Sequence, residues 1–389
     1  MPSRSVQRTF VLAPAALAAI WLVPALTAAA RADGPADFLV QRLELERFRG
    51  SIRDLAAFQT RFWNRPGNEA ARDYLVAQLE SYGYTVQTHR YAYIGLWKEN
   101  VYATRTGGAH ADRMYILSGH YDSYNSSANY DLAPGADDDA SGVAAVLEAA
   151  RVFRYARPDL SVRFILWNNE ETGLNGSNFY VGNRWYRQGT PEEPRWEGMI
   201  ALDMILYDHG PGAVPDADVE YNALHSQIGR ARTFAEAIAG AMPRYGAIPA
   251  EVGNNMNNTD SVSFWNYTPA ISIRENTRIP EIGEGSNPHW HRPTDTFETY
   301  TPADYEFGFN IVRMLVGGIG ELAGAVPVGD LNCDQRLDFN DITPFGVALE
   351  GRAAYEAQYP GCDWLNGDCN EDGTVSVDDI PRFVALLSS

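Results

Sequence analysis

The segment MYILSGHYDS, residues 114–123, decides how the chain is read. Met114 to Leu117 is a short apolar run that passes through Ser118 and Gly119 and hands over directly to His120 and Asp122. A buried parallel strand has this pattern, apolar along its length and polar only past its carboxyl end. The same pattern recurs downstream: Val162 to Trp167 leads to Glu170 and Glu171, Met199 to Leu202 leads straight to Asp203, and Ala270 to Ile273 forms another apolar run. Helical patterns lie between them at Val143 to Phe153 and Phe234 to Ala241. Earlier, Ala71 to Ser81 places Tyr74, Leu75, Leu79 and Tyr82 at three- and four-residue steps, with Gly83 as the stop. Strands alternating with helices predict an α/β fold with a mostly parallel central sheet flanked by helices. Ligands of such sheets gather beyond the carboxyl ends of the strands, which gives weight to the His, Asp and Glu residues found there.

Composition narrows the partners. The chain has 389 residues, 45% of them hydrophobic, so a sizeable core and a small appendage both fit. The net charge is −19 and no Lys/Arg-rich block occurs, which argues against nucleic acid or an anionic membrane surface as partner. Acidic side chains are more plausibly there to hold cations. Arg4 and Arg8 precede an apolar run from Phe10 to Leu26 and small residues ending at Ala30-Arg31-Ala32, the order of a secretory signal. The expectation is a leader over residues 1–32, cleavage near Ala32, and a secreted or extracytoplasmic protein with no membrane contact afterwards. Pro14 and Pro24 interrupt the run, which weighs against a retained anchor. The three cysteines, Cys333, Cys362 and Cys369, all lie near the C-terminus; at most one bridge can form among them, and the sequence does not choose the pair.

Five segments carry the chemistry: SGHYDS (118–123), PGADDDASG (134–142), NNEETGLNGS (168–177), ALDM (201–204) and HWHRPTD (289–295). Imidazoles and carboxylates from separate segments are the mixture that zinc prefers. In order and placement these motifs resemble the M28 metallopeptidases over nearly all of residues 36–322. The resemblance implies two zinc ions, with Asp138 bridging them, His120 and Asp203 completing one metal, and Glu171 and His291 the other. It assigns Glu170 as general base, a role that also follows physically, since an activated water needs a proton acceptor that is not itself a ligand. Asp122 is expected to fix the imidazole tautomer of His120, and Asp295 is a similar candidate. His289 is the rival to His291. His89, His110, His209 and His225 read as structural or exposed, and Ser141 reads as the N-cap of the helix from Gly142.

The resemblance further implies removal of single N-terminal residues from peptide substrates. The loop GNNMNNTDSVSFW (253–265) takes the place of a pocket-lining loop, and Phe264, Trp265 and Tyr267 are candidates for shaping that pocket. Three alternatives stand beside the aminopeptidase: a carboxypeptidase of the same family, with Arg274, Arg278 or Arg292 receiving the terminal carboxylate; a single-zinc glutaminyl cyclase; and a catalytically dead binding ectodomain.

Past the small residues and Pro327, read as a linker over 324–328 after a peptidase domain of 33–323, the sequence changes character. GDLNCDQRLDFNDITPF from Gly329 recurs 38 residues later as GDCNEDGTVSVDDIPRF from Gly367. Asp330, Asn332, Asp334, Asp338 and Asp341 in the first copy, and Asp368, Asn370, Asp372, Ser376 and Asp379 in the second, have EF-hand-like oxygen spacing suited to calcium. Each loop precedes a short apolar helix. The segment 329–389 resembles the dockerin type I domain, which implies a small all-α unit that binds Ca²⁺ and docks onto a cohesin. Gln335 departs from the pattern, since the sixth loop position normally takes Gly, as Gly373 does in the second copy.

Overall fold

The computed structural model describes residues 34–209, 215–275 and 287–388. The leader expected over residues 1–32, and Arg278, lie outside them. Eight strands form one sheet: β1 (Gln87–Tyr93), β2 (Leu96–Arg105), β3 (His110–His120), β5 (Leu160–Trp167), β6 (Arg195–Leu202), β7 (Ala217–Glu220), β8 (Ala250–Gly253) and β9 (Ala270–Glu275), in the order β1-β2-β5-β3-β6-β9-β7-β8. A two-stranded ladder pairs β4 (Ala156–Arg157) with β10 (Val326–Pro327).

The sheet is mixed, and parallel mainly at its centre. Neighbours β5, β3, β6 and β9 run parallel, whereas β1-β2, β2-β5 and β7-β9 are antiparallel. The reason at one edge is local. Only Ile94 and Gly95 separate β1 from β2, both with positive φ, and a two-residue turn of that kind can only reverse the chain into a hairpin. The parallel centre matters for function, because it brings the carboxyl ends of β3, β5, β6 and β9 to one edge. Register puts His120 opposite Trp167, Ser118 opposite Ala201, and Leu202 opposite Ile273.

Alternation along the strands feeds two cores. Leu117, Phe164, Leu166, Ile200, Leu202 and Ile273 face the larger one; Met114, Ile116, Ile165, Trp167, Met199 and Ala201 face the other. Helix Ala140–Phe153 crosses the first face, with every residue but Arg151 buried. Its alanines keep the backbone close to the sheet. Gly119 permits the approach, since a Cβ there would meet Asp139 and the backbone of Gly142 and Val143 at 2.9 Å. Truncating a fully buried neighbour such as Leu117 to Ala should cost about 2–5 kcal/mol. Helix Pro302–Leu322 closes the same layer, started by a capping box between Thr301 and Asp304.

The C-terminal segment contributes helices Ile342–Leu349, Arg352–Gln358 and Ile380–Leu387, packed on Leu331, Tyr355 and the stacked pair Phe345 and Phe383. Cys333 and Cys362 form the disulfide, leaving Cys369 buried and free. Residues 324–328 do not hang free as a linker would. Val326 and Pro327 form the ladder with Arg157 and Ala156, Val328 N donates to Tyr155 O at 3.0 Å, and Ala325 and Val328 are buried. Among the described residues no helix is long and apolar enough to cross a membrane.

Candidate active site

Each strand end delivers its polar residue to the same edge of the sheet. His120 is the last residue of β3, Glu170 and Glu171 follow β5 by a few residues, and Asp203 follows β6 directly. Asp138 lies in the loop that starts helix Ala140–Phe153. The N-cap of that helix is Asp139, whose carboxylate accepts from Gly142 N at 2.9 Å; Ser141 instead donates its hydroxyl to Asp137 O. The cap expected at Ser141 therefore sits two residues earlier, where an Asp is available to take it.

Asp138 stands between two imidazoles. Its Oδ1 is 3.3 Å from His120 Nε2, and its Oδ2 is 3.2 Å from His291 Nε2. Glu171 Oε2 lies 2.8 Å from His291 Nε2, and Asp203 Oδ1 lies 4.0 Å from His120 Nε2. Two trios result, His120 with Asp138 and Asp203, and Asp138 with Glu171 and His291, each with ligand atoms within 4.8 Å of one another. Asp138 belongs to both. Glu170 Oε2 is 4.0 Å from His120 Nε2 and belongs to neither trio. Asp138 Oδ2 and Glu171 Oε1 are buried without a hydrogen-bond donor, the condition of oxygens waiting for a cation. The donor set of carboxylates and neutral imidazoles fits zinc.

Electrostatics point the same way. Burial holds the carboxyls of Glu170 and Asp203 above the ordinary range, and pushes Glu171 up to about 8, with Asp138 adding to it. Burial also acts on Asp138, but His120 and His291 outweigh it and hold that carboxyl far down. Burial opposes charge on His291, yet Asp138 and Glu171 raise it to about 10. So many buried carboxylates at one site repel one another, and the cluster calls for positive charge that protons or metal ions must supply.

A further layer of carboxylates grips the backbone that carries the cluster. Asp122 accepts from Glu170 N at 3.0 Å and from Glu171 N at 3.2 Å. His120 Nδ1 lies 3.2 Å from the main-chain carbonyl of Asp122 and 3.6 Å from its carboxylate, so the carbonyl rather than the side chain sets the ring. Asp295 accepts from Asp137 N and Asp138 N at 2.9 and 3.0 Å. Asp139 accepts from His120 N at 2.9 Å, and Asp137 from Ile205 N and Leu206 N at 2.9 and 3.0 Å. Arg61, fully buried, donates to the carbonyls of Tyr121, Leu55, Pro134 and Gly135 and ties two of these loops together. Sequence reasoning missed Asp137, Asp139 and Arg61. The flanking positions in the triple-Asp run were the available signal for the first two; nothing marked Arg61.

The cluster opens into a cavity of about 280 Å³ lined also by Gly173, Leu174, Asn258, Arg274 and Trp290. Larger clefts exist, one of about 530 Å³ beside Tyr155 and residues 334–338, but among the described residues none gathers such ligands. Of the loop 253–265, Asn258 reaches this cavity. Phe264 does not; it is buried against Trp167, Tyr180 and Trp196, with Trp265 and Tyr267 packed on the same core, so the aromatic wall is Trp290 instead. His289 contacts Thr294 Oγ1 at 2.9 Å and faces a separate cleft. His89 and His225 are buried, and His110 is exposed beside Asp159. Arg292 is exposed and outside the cavity.

The two C-terminal loops fold alike. Asp330 Oδ2 accepts from Gln335 N and Asp368 Oδ2 from Gly373 N, while Asn332, Asp334, Asp338, Asn370, Asp372 and Ser376 each accept from a backbone N–H two residues on. Asp341 and Asp379 reach back to Asn332 N and Asn370 N. Gln335 takes φ +67° where Gly373 has +90°, so the first loop makes its turn without glycine, at a local cost of about 1–2 kcal/mol. Asp330 Oδ1 is buried without a donor. Among the described residues these loops do not form a tight trio of the catalytic kind.

Sheet, strand-end ligands and shared carboxylate together define the metallopeptidase-like class of α/β proteins. More particularly, the chain belongs to peptidase family M28, whose profile matches residues 100–315. It is 44% identical over 108 residues to a "Probable zinc metalloprotease" of Pyricularia oryzae, covering 27% of this chain and 20% of that protein. A protein of the same name from Pyrenophora tritici-repentis is 32% identical over 188 residues, 43% of this chain and 38% of the relative. The match thus spans well under half the length of these curated relatives. In fold it is similar to the LapA aminopeptidase of Legionella pneumophila (TM-score 0.61, 19% identity, 74% of each chain). It is also similar to an aminopeptidase of Aneurinibacillus sp. strain AM-1 (0.58, 19%, 75% and 96%) and to a Bacteroides thetaiotaomicron glutaminyl cyclase (0.55, 19%, 72% and 97%).

Proposed function

We propose that this chain is an exported di-zinc exopeptidase that removes N-terminal residues from peptides. The observation that carries the reading is Asp138, one carboxylate with an oxygen toward each of two imidazoles and membership of both ligand trios. His120, Asp138 and Asp203 would hold one zinc, and Asp138, Glu171 and His291 the other. When bound, two such ions polarise a scissile carbonyl and acidify a water. Glu170, buried and outside both trios, takes the proton of the attacking water and returns it to the leaving amine; its raised pKa suits both halves of that exchange. Asp122 positions Glu170 and Glu171 through their amides.

The test is metal analysis of the purified protein beside hydrolysis of free and N-blocked aminoacyl substrates. Two zinc ions and cleavage of free substrates alone support the proposal. Cleavage of blocked peptides with a free carboxyl end indicates a carboxypeptidase. One zinc with cyclisation of N-terminal glutamine indicates a glutaminyl cyclase, and intact metal without turnover a binding ectodomain.

The reading extends to the C-terminal segment, which we assign as a dockerin-like module binding calcium through its two loops. The repeated oxygen spacing and the orphaned Asp330 Oδ1 support it. Phe339 and Val377, and Ile342 and Ile380, are exposed apolar side chains at equivalent positions of the two repeats, with Val384 exposed beside them in the second, a surface suited to a cohesin-like partner. Calorimetric titration of the full chain with calcium tests the loops: Asp330→Ala and Asp368→Ala should each remove one site, and absence of binding by the parent ends the assignment.

A further inference from the structure

Two arginines lie deep beside the ligand cluster, and they differ in how their donors are used. Arg61 is saturated by four backbone carbonyls. Arg274, near the end of β9, lines the same cavity as His120, Asp138, Glu170, Glu171, Asp203 and His291. Its side-chain contacts are with thioethers: Nη1 to Met256 Sδ at 3.8 Å and Nη2 to Met204 Sδ at 3.9 Å, while Nε is buried with no acceptor. Thioether sulfur is a weak acceptor, so a planar fork of donors is left essentially unused at the wall of the pocket. The charge itself is secured, since Asp203, Glu275 and Asp138 hold the guanidinium protonated against the effect of burial. Among the described residues the donors meet no oxygen acceptor, although carboxylates surround the charge.

We propose that Arg274 determines the specificity of this site by receiving a substrate carboxylate, so that the preferred peptides carry an acidic group beside the scissile bond. The inference rests on the exopeptidase reading and sharpens it. A guanidinium pairs bidentately with a carboxylate, which matches the unused fork, and the flexible side chains of Met204 and Met256 can move aside without breaking a strong bond. Among the described residues lining the cavity, Arg274 supplies the sole guanidinium or ammonium group; Leu174, Asn258 and Trp290 offer nothing comparable to an anion. The carboxylate has two possible sources, the side chain of an acidic N-terminal residue or the α-carboxylate of a C-terminal one.

The experiment uses the full-length zinc-loaded protein and two pairs of probes, each pair differing by one carboxylate. Glutamic acid α-amide against glutamine α-amide reports a side-chain carboxylate; N-acetylglutamine against its α-amide reports an α-carboxylate. Calorimetric titration of the parent should show one acidic probe binding about tenfold or more tighter than its neutral twin, and the pair that discriminates identifies the source. Arg274→Met should abolish the discrimination, and Arg274→Lys, which keeps the charge but not the fork, should retain part of it. Equal binding within both pairs by the parent, or discrimination unchanged in Arg274→Met, overturns the proposal. Zinc content and melting are followed in each variant. If Arg274→Met loses metal, Arg274→Lys decides: reduced discrimination with full zinc supports the role, and unchanged discrimination refutes it. Hydrolysis of 4-nitroanilides runs in parallel. Discrimination without hydrolysis would remove the exopeptidase reading and leave a carboxylate pocket, whereas hydrolysis without discrimination removes this inference alone.

Discussion

The carboxylate of Asp122 holds Glu170 by its backbone, accepting the Glu170 N–H at 3.0 Å while its second oxygen takes the N–H of Glu171 at 3.2 Å. One buried side chain thereby fixes both the residue we assign as proton acceptor and the neighbour we assign as a metal ligand. Asp122→Asn replaces one acceptor oxygen with an NH₂ group that faces an N–H donor, so one of the two amides loses its partner and the turn shifts. Turnover should fall about 10- to 100-fold, with weakened zinc retention because Glu171 moves too. Parallel measurement of kcat and bound zinc checks this, and a variant of unchanged rate would remove Asp122 from the positioning role.

Glu170 and Asp138 are separable by metal content. Glu170 stands outside both ligand trios, so Glu170→Gln should keep its zinc and lose about 10²- to 10⁴-fold in kcat, the usual contribution of a positioned general base. Asp138→Ala takes a ligand from both trios at once and should lose metal as well as activity. Atomic absorption beside steady-state kinetics distinguishes the two. Full activity in Glu170→Gln would require a different proton acceptor.

What the sequence made legible follows from where information is local. The strand ends at His120, Glu170 and Asp203 could be read because apolar runs lead into them, and their convergence is a property of parallel topology. The antiparallel pairs β1-β2, β2-β5 and β7-β9 were less visible in an overall strand-helix alternation, although Ile94-Gly95 marks a hairpin turn. Asp139 and Ser141 compete for one N-cap within three residues, and sequence alone gave no reason to prefer the carboxylate. Arg61 could not have been placed, since an arginine in a sequence is a surface residue by default and burial is a tertiary fact; Arg274 stood in the sequence only as one of three arginines open to a carboxylate, and the fold is what puts it at the cavity. The segment 324–328 has the composition of a tether, yet Val326 and Pro327 within it form a strand because Arg157 and Ala156 offer them a ladder.

That docking makes a prediction about Glu371. Its carboxylate, in the second acidic loop, pairs with Arg105 Nη1 at 2.7 Å and Arg154 Nη1 at 2.9 Å, both from the catalytic part of the chain. Burial opposes its charge, but the two arginines win and hold the carboxyl below its ordinary value. A depressed carboxylate stabilises the fold above its unfolded pKa of 4.5 and loses that contribution as the pH falls through the folded value. Arg105 is nearly buried, so Glu371→Gln leaves an under-compensated charge and should cost about 1–3 kcal/mol at neutral pH, less at pH 3. Urea unfolding at the two pH values tests it; equal losses at both would mean the ion pairs contribute nothing.

His89 offers an independent test of how the core treats charge. It is buried between Tyr91 and Tyr180, and its Nδ1 lies 3.1 Å from Asn100 Nδ2. Asn100 is oriented by two other bonds, accepting from Asn168 N and donating to Gly176 O, so the His89 Nδ1 must act as acceptor and the ring is held neutral. Burial, helped by Arg184, depresses its pKa to about 4. Between pH 6.5 and about 4 the unfolded chain binds a proton at this position that the folded chain refuses, so stability rises with pH across that window and is complete above 6.5. At about 1.36 kcal/mol per unit the effect is at most about 3–4 kcal/mol. His89→Gln should flatten the pH dependence of the unfolding free energy between pH 4 and 6.5 relative to the parent. An imidazole resonance titrating near 6.5 in the folded parent would show instead that the ring reaches water and that its amide contacts do not hold it neutral.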